Sequence, residues 1–384
     1  MRVLALCDYY SYDSIGGAER VAREVYDYLA EYRDCEILVV SGIPRKQLNE
    51  HIDLDSSRVK LVHVSGVDLS KVFGAQLLFI PKFRAILRRQ ILEFKPDVIH
   101  ANGLHFHGSF VGAKESRRAG IPLVATAHLA DVDALPLVSR LAAKTFNRFI
   151  SRVIARASKI VIAVSPSVEI HLRSLGVSPS RIRIVRNGVD HVRFRPSSSH
   201  VESKTLHAIL VGRLISNKGS LDALEGVAAA RRKGRDVRLA ILGDGPLLEK
   251  VRARSELIDL RGTVEILGTV SNVEEYLREA DVLLRPSWTE GLPLAVIEAL
   301  ACGTPVICTD VPGNTDLIEH GINGLVYPVR DTDALSDQIL RLCDDHELRN
   351  ALSTSAFDSG QSYTWEKCAE GHHRAFLDVS KQNE

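Results

Sequence analysis

Two glutamates stand eight positions apart in TEGLPLAVIE, residues 289–298, as Glu290 and Glu298. Paired carboxylates suggest general acid–base work, but the surroundings point to binding. The apolar run DVLLRPS (281–287) reads as a buried strand leading into this loop, and Pro293 suits the first position of a following helix. The free N–H groups of about Gly291 to Leu294, Leu292 among them, then face an anion. Glu298 falls about five residues into that helix, roughly 7–8 Å along its axis, and Glu290 lies on the other side of the helix start. A phosphate between the carboxylates leaves each placed to accept hydrogen bonds from a hydroxyl-bearing ring. Ribose, diphosphate and sugar follow one another in that way in a nucleotide sugar. The plainer alternative is one exposed loop glutamate and one on a helix surface.

Two more stretches lie where anions bind. In VGRLISNKGSLDAL, Arg213 and Lys218 flank a short loop that opens a helix, which suits a diphosphate or makes two solvated charges. Near the N-terminus, Gly16-Gly17 stands just before a helix running from about Glu19, and is either an anion-binding turn or a plain one.

The elements that must position these residues are short apolar, β-branched runs alternating with helical patterns. In the first half they are 2–7, 35–40, 59–64, 96–101, 122–128, 159–165 and 182–188; in the second, 207–213, 238–245, 264–270, 281–287, 305–310 and 324–328. Runs that are continuously apolar read as strands buried on both faces, the mark of parallel sheets covered by helices. In such sheets ligands sit beyond the carboxyl ends of the strands. The Ser-rich segment DHVRFRPSSSHVESKT (190–205) reads as a linker. The sequence therefore predicts a first Rossmann-like domain over 1–188, a linker over 189–205 and a second domain over 206–364, with a terminal helix over about 365–384 packing back on the first. Helix and loop are hard to separate over residues 66–95.

With 384 residues, 45% of them hydrophobic, the chain is long enough for two cores. Basic and acidic residues number 49 and 48, so no basic field argues for nucleic acid. Six scattered cysteines without a C-x-x-C pair suggest neither zinc nor a disulfide framework, and fit a reducing compartment. The N-terminal apolar run is too short for a signal sequence, no run is long enough to span a membrane, and a cytoplasmic location is expected. No G-x-G-x-x-G follows any strand, which argues against a dinucleotide dehydrogenase.

Taken together and in order, GGAERV, VSPSVEIHL, VRNGVD, VGRLISNKG, LGDGP, LGTV, the Glu290–Glu298 pair and ACGTPVICTD through GINGLVYP resemble the retaining glycosyltransferases of family 4, with the GT-B fold. The resemblance covers nearly the whole chain. It implies an α/β architecture of two Rossmann-like doubly wound domains facing across a cleft. It also implies transfer of a hexose from a UDP- or GDP-linked donor to a glycan or lipid-linked acceptor, with no metal or other cofactor. By the same resemblance Arg213 and Lys218 hold the leaving diphosphate, Glu298 grips the ribose, and Glu290 contacts the transferred sugar together with Gly291, Leu292, Pro293 and Leu294. Gly16 and Gly17 close over the phosphates, and the turn Gly268-Thr269-Val270 flanks the base. His128, ending the strand PLVATAH, touches the transferred sugar or polarises the acceptor. His100, read as ending the preceding strand, lies on the acceptor side, which His105 and His107 also line. The H-x-H pair lacks an evident third metal ligand. The sequence departs from the family pattern at Asp316, where glutamate is usual; a helix N-cap region is the plain reading there. A nucleotide-sugar epimerase of the same fold and a non-catalytic sugar-nucleotide-binding subunit remain alternatives. A phosphorylase fits less well, because no lysine context for pyridoxal phosphate stands out.

Residues 137–159 carry Arg140, Lys144, Arg148, Arg152 and Arg156 at four-residue spacing, with Val138, Ala142, Phe146, Phe149, Val153 and Ala157 on a neighbouring face. KFRAILRRQ (82–90) adds cations. The pattern reads as a basic amphipathic helix attracted to an anionic membrane surface, or as an ordinary solvated face.

Overall fold

The computed structural model describes residues 1–10, 16–44, 58–68, 78–128, 148–197 and 204–381. The chain divides into two compact units, Met1–Gly188 with Trp365–Glu384, and Val189–Thr364.

The apolar runs form the strands that their composition predicts. In the first unit these are β1 (Arg2–Leu6), β2 (Glu36–Pro44), β3 (Val59–Asp68), β4 (Leu78–Phe79), β5 (Val98–Asn102), β6 (Leu123–Ala127), β7 (Ile160–Ala163) and β8 (Ile182–Ile184). They make one eight-stranded sheet in the order β4-β3-β2-β1-β5-β6-β7-β8. Every pairing is parallel except that of β3 with β4, in which Val67 faces Phe79. The two-residue β4 is too short to read as a strand in advance. Strand order reverses between β1 and β5, so the loops after these two strands flank the sheet's switch point.

Helix Trp365–Ser380 packs against β5, β6, β7 and helix Gly17–Tyr32. Its buried stripe, Cys368, Ala369, His372, Ala375, Phe376 and Val379, follows the three-to-four residue helical spacing. Gly371 allows the close approach, since a Cβ there would stand 2.6 Å from Val185 Cγ1.

The second unit holds β9 (Leu206–Val211), β10 (Val237–Leu242), β11 (Val264–Gly268), β12 (Val282–Arg285), β13 (Val306–Thr309) and β14 (Gly324–Tyr327). All pair in parallel in the order β11-β10-β9-β12-β13-β14, and the switch point falls between β9 and β12. Its core joins Leu210, Ile241, Leu284 and Ile307 of the strands to Leu224 and Val227 of helix Ser220–Arg232 and Leu335 and Ile339 of helix Thr332–Asp344. Asp331 and Asp345 cap the helices that follow them, accepting from the N–H of Ala334 and Leu348 at 2.9 and 2.8 Å.

The polar stretch read as a linker belongs, over residues 189–197, to the second unit. Val189 bridges to Thr364, the Phe194 side chain is buried, and Arg193 pairs with Glu274 at 2.8 Å. Two apolar anchors in a polar segment are enough to hold it. Residues 198–203 lie outside the described residues.

Candidate functional site

Two loops meet at the switch point of the second unit. After β9 the chain turns through Gly212 and Arg213 into the short 3-10 turn Ser216–Lys218, then through Gly219 into helix Ser220–Arg232. Gly219 has φ +68°, and a Cβ there would stand 2.0 Å from the Pro286 carbonyl oxygen. Only glycine lets this turn lie on the loop that follows β12. Trp288 N–H donates to the Asn217 carbonyl at 2.8 Å and closes the contact from the other side.

The contact brings Lys218 to Glu290. The ammonium donates to both carboxylate oxygens, at 2.8 and 3.0 Å. Arg285, the last residue of β12, donates from Nη2 to Glu290 Oε1 at 2.5 Å and from Nη1 to the Val211 carbonyl at 2.8 Å. Burial alone would raise the Glu290 pKa, but Arg285 and Lys218 outweigh it and hold the carboxyl at about 2. Burial pushes the Lys218 ammonium down to about 8; Glu290 works against that, and the nearby Arg285 and Arg213 add to it. Arg213 is exposed and has no hydrogen-bond or ion-pair partner among the described residues. Lys218 and Arg285 thus share one carboxylate at the carboxyl ends of β9 and β12, with the Arg213 charge felt at Lys218, which leaves the spot short of negative charge.

Helix Leu294–Ala301 starts one residue later than expected, with Pro293 as its N-cap at φ −71°, ψ 121°. The shift still leaves Glu298 as its fifth residue. Neither glutamate is a surface residue, since Glu290 is 4% and Glu298 5% exposed. Gly291, Leu292 and Pro293 are buried, and Leu294 is half-buried.

Helix Pro312–Thr315 backs the loop. A Cβ on Gly313 would stand 2.6 Å from the Glu290 carbonyl carbon, so glycine allows the approach. Asn314 donates to Thr309 Oγ1 at 3.0 Å, and Thr309 donates in turn to the Ser287 carbonyl at 2.5 Å. Asp316 is the C-cap of this short helix and not part of an N-cap region; Pro312 occupies its first turn. Beside these loops, Gly268 ends β11 at φ +69° with open space where a Cβ would be, and its carbonyl accepts from Gly243 N–H at 2.7 Å. Val270 is half-buried. Trp288 donates to Asp222 at 2.7 Å, and the Arg330 guanidinium lies 3.9 Å from its ring centre.

In the first unit Gly16 is the N-cap of helix Gly17–Tyr32, with an extended φ of −73°. A Cβ on Gly16 would collide with the Glu19 carboxylate at 2.4 Å. His128 follows β6 directly; its Nε2 lies 2.7 Å from Asn102 Oδ1. Burial, with His372 and His105 nearby, pushes the imidazole down to about 3 and keeps it neutral.

His100 is not an acceptor-side residue. It stands in the middle of β5, 1% exposed, with Nδ1 2.7 Å from Tyr26 Oη and Nε2 2.8 Å from Thr126 Oγ1. Alternate residues of a strand face opposite sides, so His100 turns into the helical layer, against Phe376 and His372. His107 opens helix His107–Ala119 with its ring against Phe79 and Phe83, and burial pushes His105 down to about 4. Among the described residues no three His, Cys, Asp or Glu side chains gather as metal ligands.

Two polar residues, Arg285 in the second unit and Asn102 in the first, are not singled out by motif reading, although both end a strand. Reading the last residue of every strand, as well as the loop beyond it, finds them.

The expected basic helix is described only over 148–157; Arg140 and Lys144 lie outside the described residues. Its buried face is Ile150, Ile154 and Ala155, one position round from the face predicted, and Phe149 is 62% exposed beside the exposed Arg148. In helix Phe83–Phe94, Arg84 and Arg88 are taken up by the buried Glu115, at 2.6 and 2.7 Å. No described helix is long and apolar enough to cross a membrane.

The chain matches the family model for glycosyl transferases group 1 over residues 194–358 and that for glycosyltransferase family 4 over residues 15–193. It is 30% identical over 284 residues to the putative colanic acid biosynthesis glycosyltransferase WcaL of Salmonella typhimurium, covering 71% of this chain and 68% of that protein. It is 24% identical over 348 residues to the UDP-Gal:alpha-D-GlcNAc-diphosphoundecaprenol alpha-1,3-galactosyltransferase of Escherichia coli, covering 87% and 86%. Anabaena HepE, solved with UDP and glucose, superposes with a TM-score of 0.79 at 20% identity, covering 99% of this chain and 100% of that one. The protein belongs to the glycosyltransferases of the group 1 and family 4 type and has the GT-B fold.

Proposed function

We propose that the protein is a retaining, metal-independent hexosyltransferase that takes a UDP- or GDP-linked sugar and glycosylates a glycan or lipid-linked acceptor in polysaccharide biosynthesis. The observation that carries this reading is the pairing of Lys218 and Arg285 with the single carboxylate of Glu290, with Arg213, unpartnered among the described residues, near Lys218, at the carboxyl ends of β9 and β12. The cluster suits a diphosphate, with Arg213 free to fork onto it. The relatives' names support the donor and the setting, one being assigned to colanic acid biosynthesis and one named for a UDP-Gal donor and a diphosphoundecaprenol-linked acceptor.

The donor's anomeric carbon–oxygen bond breaks, and the electron pair leaves on the diphosphate, where Arg213 and Lys218 stabilise it. The acceptor hydroxyl oxygen bonds to the same face of the sugar, and its proton passes to the departing phosphate oxygen. Glu298 grips the ribose, and Glu290 orients the sugar hydroxyls while Lys218 and Arg285 hold it ionised. Neither carboxylate serves as nucleophile; because attack and departure share one face, the product keeps the donor's anomeric configuration, which NMR of the product checks, and an inverted product overturns that part.

A thermal-shift titration with UDP and GDP, in EDTA, tests the donor site. One nucleotide is expected to raise the melting temperature of the wild type. Glu298→Ala is expected to bind it on the order of tenfold more weakly, the size of a lost hydrogen bond to a charged group. Binding of a dianion returns charge to Lys218, so affinity is expected to fall as pH rises through about 8. No shift with either nucleotide refutes the reading.

The exposed Arg148, Phe149 and Arg156 favour a peripheral contact with an anionic, cytoplasmic membrane face. Replacing Arg148 and Arg156 by Glu together is expected to abolish sedimentation with anionic liposomes. Undiminished sedimentation rejects the contact.

A further inference from the structure

We propose that Asn102 is a positioning residue that fixes the tautomer of His128, holding the ring proton on Nε2 and leaving Nδ1 as a free hydrogen-bond acceptor. The proposal rests on the glycosyl-transfer reading and deepens it: the acceptor so prepared takes a sugar hydroxyl.

Asn102 ends β5 and is 1% exposed, at the switch point of the first sheet. Its amide nitrogen lies 3.2 Å from the Ala18 carbonyl and 3.3 Å from Cys7 Sγ. A backbone carbonyl only accepts, so the atom facing Ala18 must be the NH2 group. The amide carbonyl oxygen then faces His128 Nε2 at 2.7 Å. That oxygen also only accepts, so Nε2 must donate. A neutral imidazole carries one ring proton, which leaves Nδ1 with its lone pair.

Burial supports the neutral form, since it pushes the imidazole down to about 3. His128 is only half-buried, and its Nδ1 has no partner among the described residues. Ala18 lies in the first turn of helix Gly17–Tyr32, so one amide ties the glycine-led helix start to the histidine after β6. A buried asparagine placed only to satisfy the core would not need its oxygen on an imidazole at the carboxyl end of the sheet.

Nitrogen-detected NMR of the free protein, labelled with 15N-histidine, tests this without any substrate; the signals absent in His128→Gln belong to His128. The wild type is expected to show a protonated Nε2 and an unprotonated Nδ1. A proton on Nδ1 overturns the proposal. In Asn102→Leu the tautomer ratio is expected to move toward protonated Nδ1 on the order of tenfold, the worth of one buried hydrogen bond. An unmoved ratio in that variant also overturns it.

Asn102→Asp is the conservative variant and guards against a fold lost with leucine. Its carboxylate favours the charged imidazole and raises the His128 pKa. Turnover is then expected to acquire an acid limb absent from the wild type, falling as pH drops through the raised pKa. An unchanged pH profile overturns the proposal. A change confined to the acceptor's KM places the hydroxyl on the acceptor; one confined to the donor's KM places it on the transferred sugar. If the wild type neither binds a nucleotide nor transfers a sugar, the functional reading fails while the NMR result still decides the tautomer.

Discussion

Replacing Glu290 by alanine is expected to destabilise the second unit by ~3–5 kcal/mol, the range for removing one partner from a buried ion pair. The size follows from what remains. Lys218 and Arg285 would face each other with only the Val211 carbonyl still bonded to the arginine. Thermal unfolding of the variant beside the wild type measures the loss, and a change below about 1 kcal/mol would show that the cluster is better hydrated than its burial implies.

The same interaction makes a pH prediction. Glu290 is held at about 2 against an ordinary value of 4.5. A depressed carboxylate stabilises the fold above its unfolded pKa, and the contribution fades as pH falls from there through its folded pKa. About two and a half pKa units amount to ~3 kcal/mol. Glu290→Gln keeps the side-chain shape but has no charge to lose. The gap between it and the wild type is therefore expected to narrow as pH falls below about 4.

Arg213→Ala should behave in the opposite way. The guanidinium is exposed and unpartnered among the described residues, so stability is expected to change by no more than about 0.5 kcal/mol. Turnover is expected to fall by ~10²-fold or more at saturating donor, as when one donor to a developing oxyanion is removed. Lys218 cannot make up the loss, because its one ammonium is divided between the diphosphate and Glu290. An unchanged turnover would remove Arg213 from the mechanism. The two variants thus separate holding the site together from acting within it.

Most of the architecture was legible because parallel strands buried on both faces leave unbroken apolar runs. β4 was not, because two residues carry no pattern. The Arg213, Lys218, Glu290 and Glu298 set could be read from spacing, since each lies in a loop or helix start just beyond a strand. Arg285 and Asn102 could not be read in that way, since they look like strand ends until their partners, distant in sequence, come into place. Arg285 meets Val211 and Glu290, and Asn102 meets Cys7, Ala18 and His128. His100 misled for the related reason that strand position, and not residue type, decides which side a histidine faces. The buried stripe of residues 148–157 was displaced by one position because two adjacent apolar rows, Phe149 with Val153 and Ile150 with Ile154, compete in that sequence, and only packing chooses between them.

The chain has two tryptophans, and they fall one in each unit: Trp288 two residues before Glu290, and Trp365 at the start of helix Trp365–Ser380. Trp288 is bonded to Asp222 and covered by a guanidinium. Its emission is therefore sensitive to charge arriving beside the Glu290 loop, while that of Trp365 follows the other unit. Two phenylalanine variants, Trp288→Phe and Trp365→Phe, would turn the native protein into a pair of optical probes. With them, the melting of each half and any ligand arriving at the Glu290 loop can be followed separately, without an added dye.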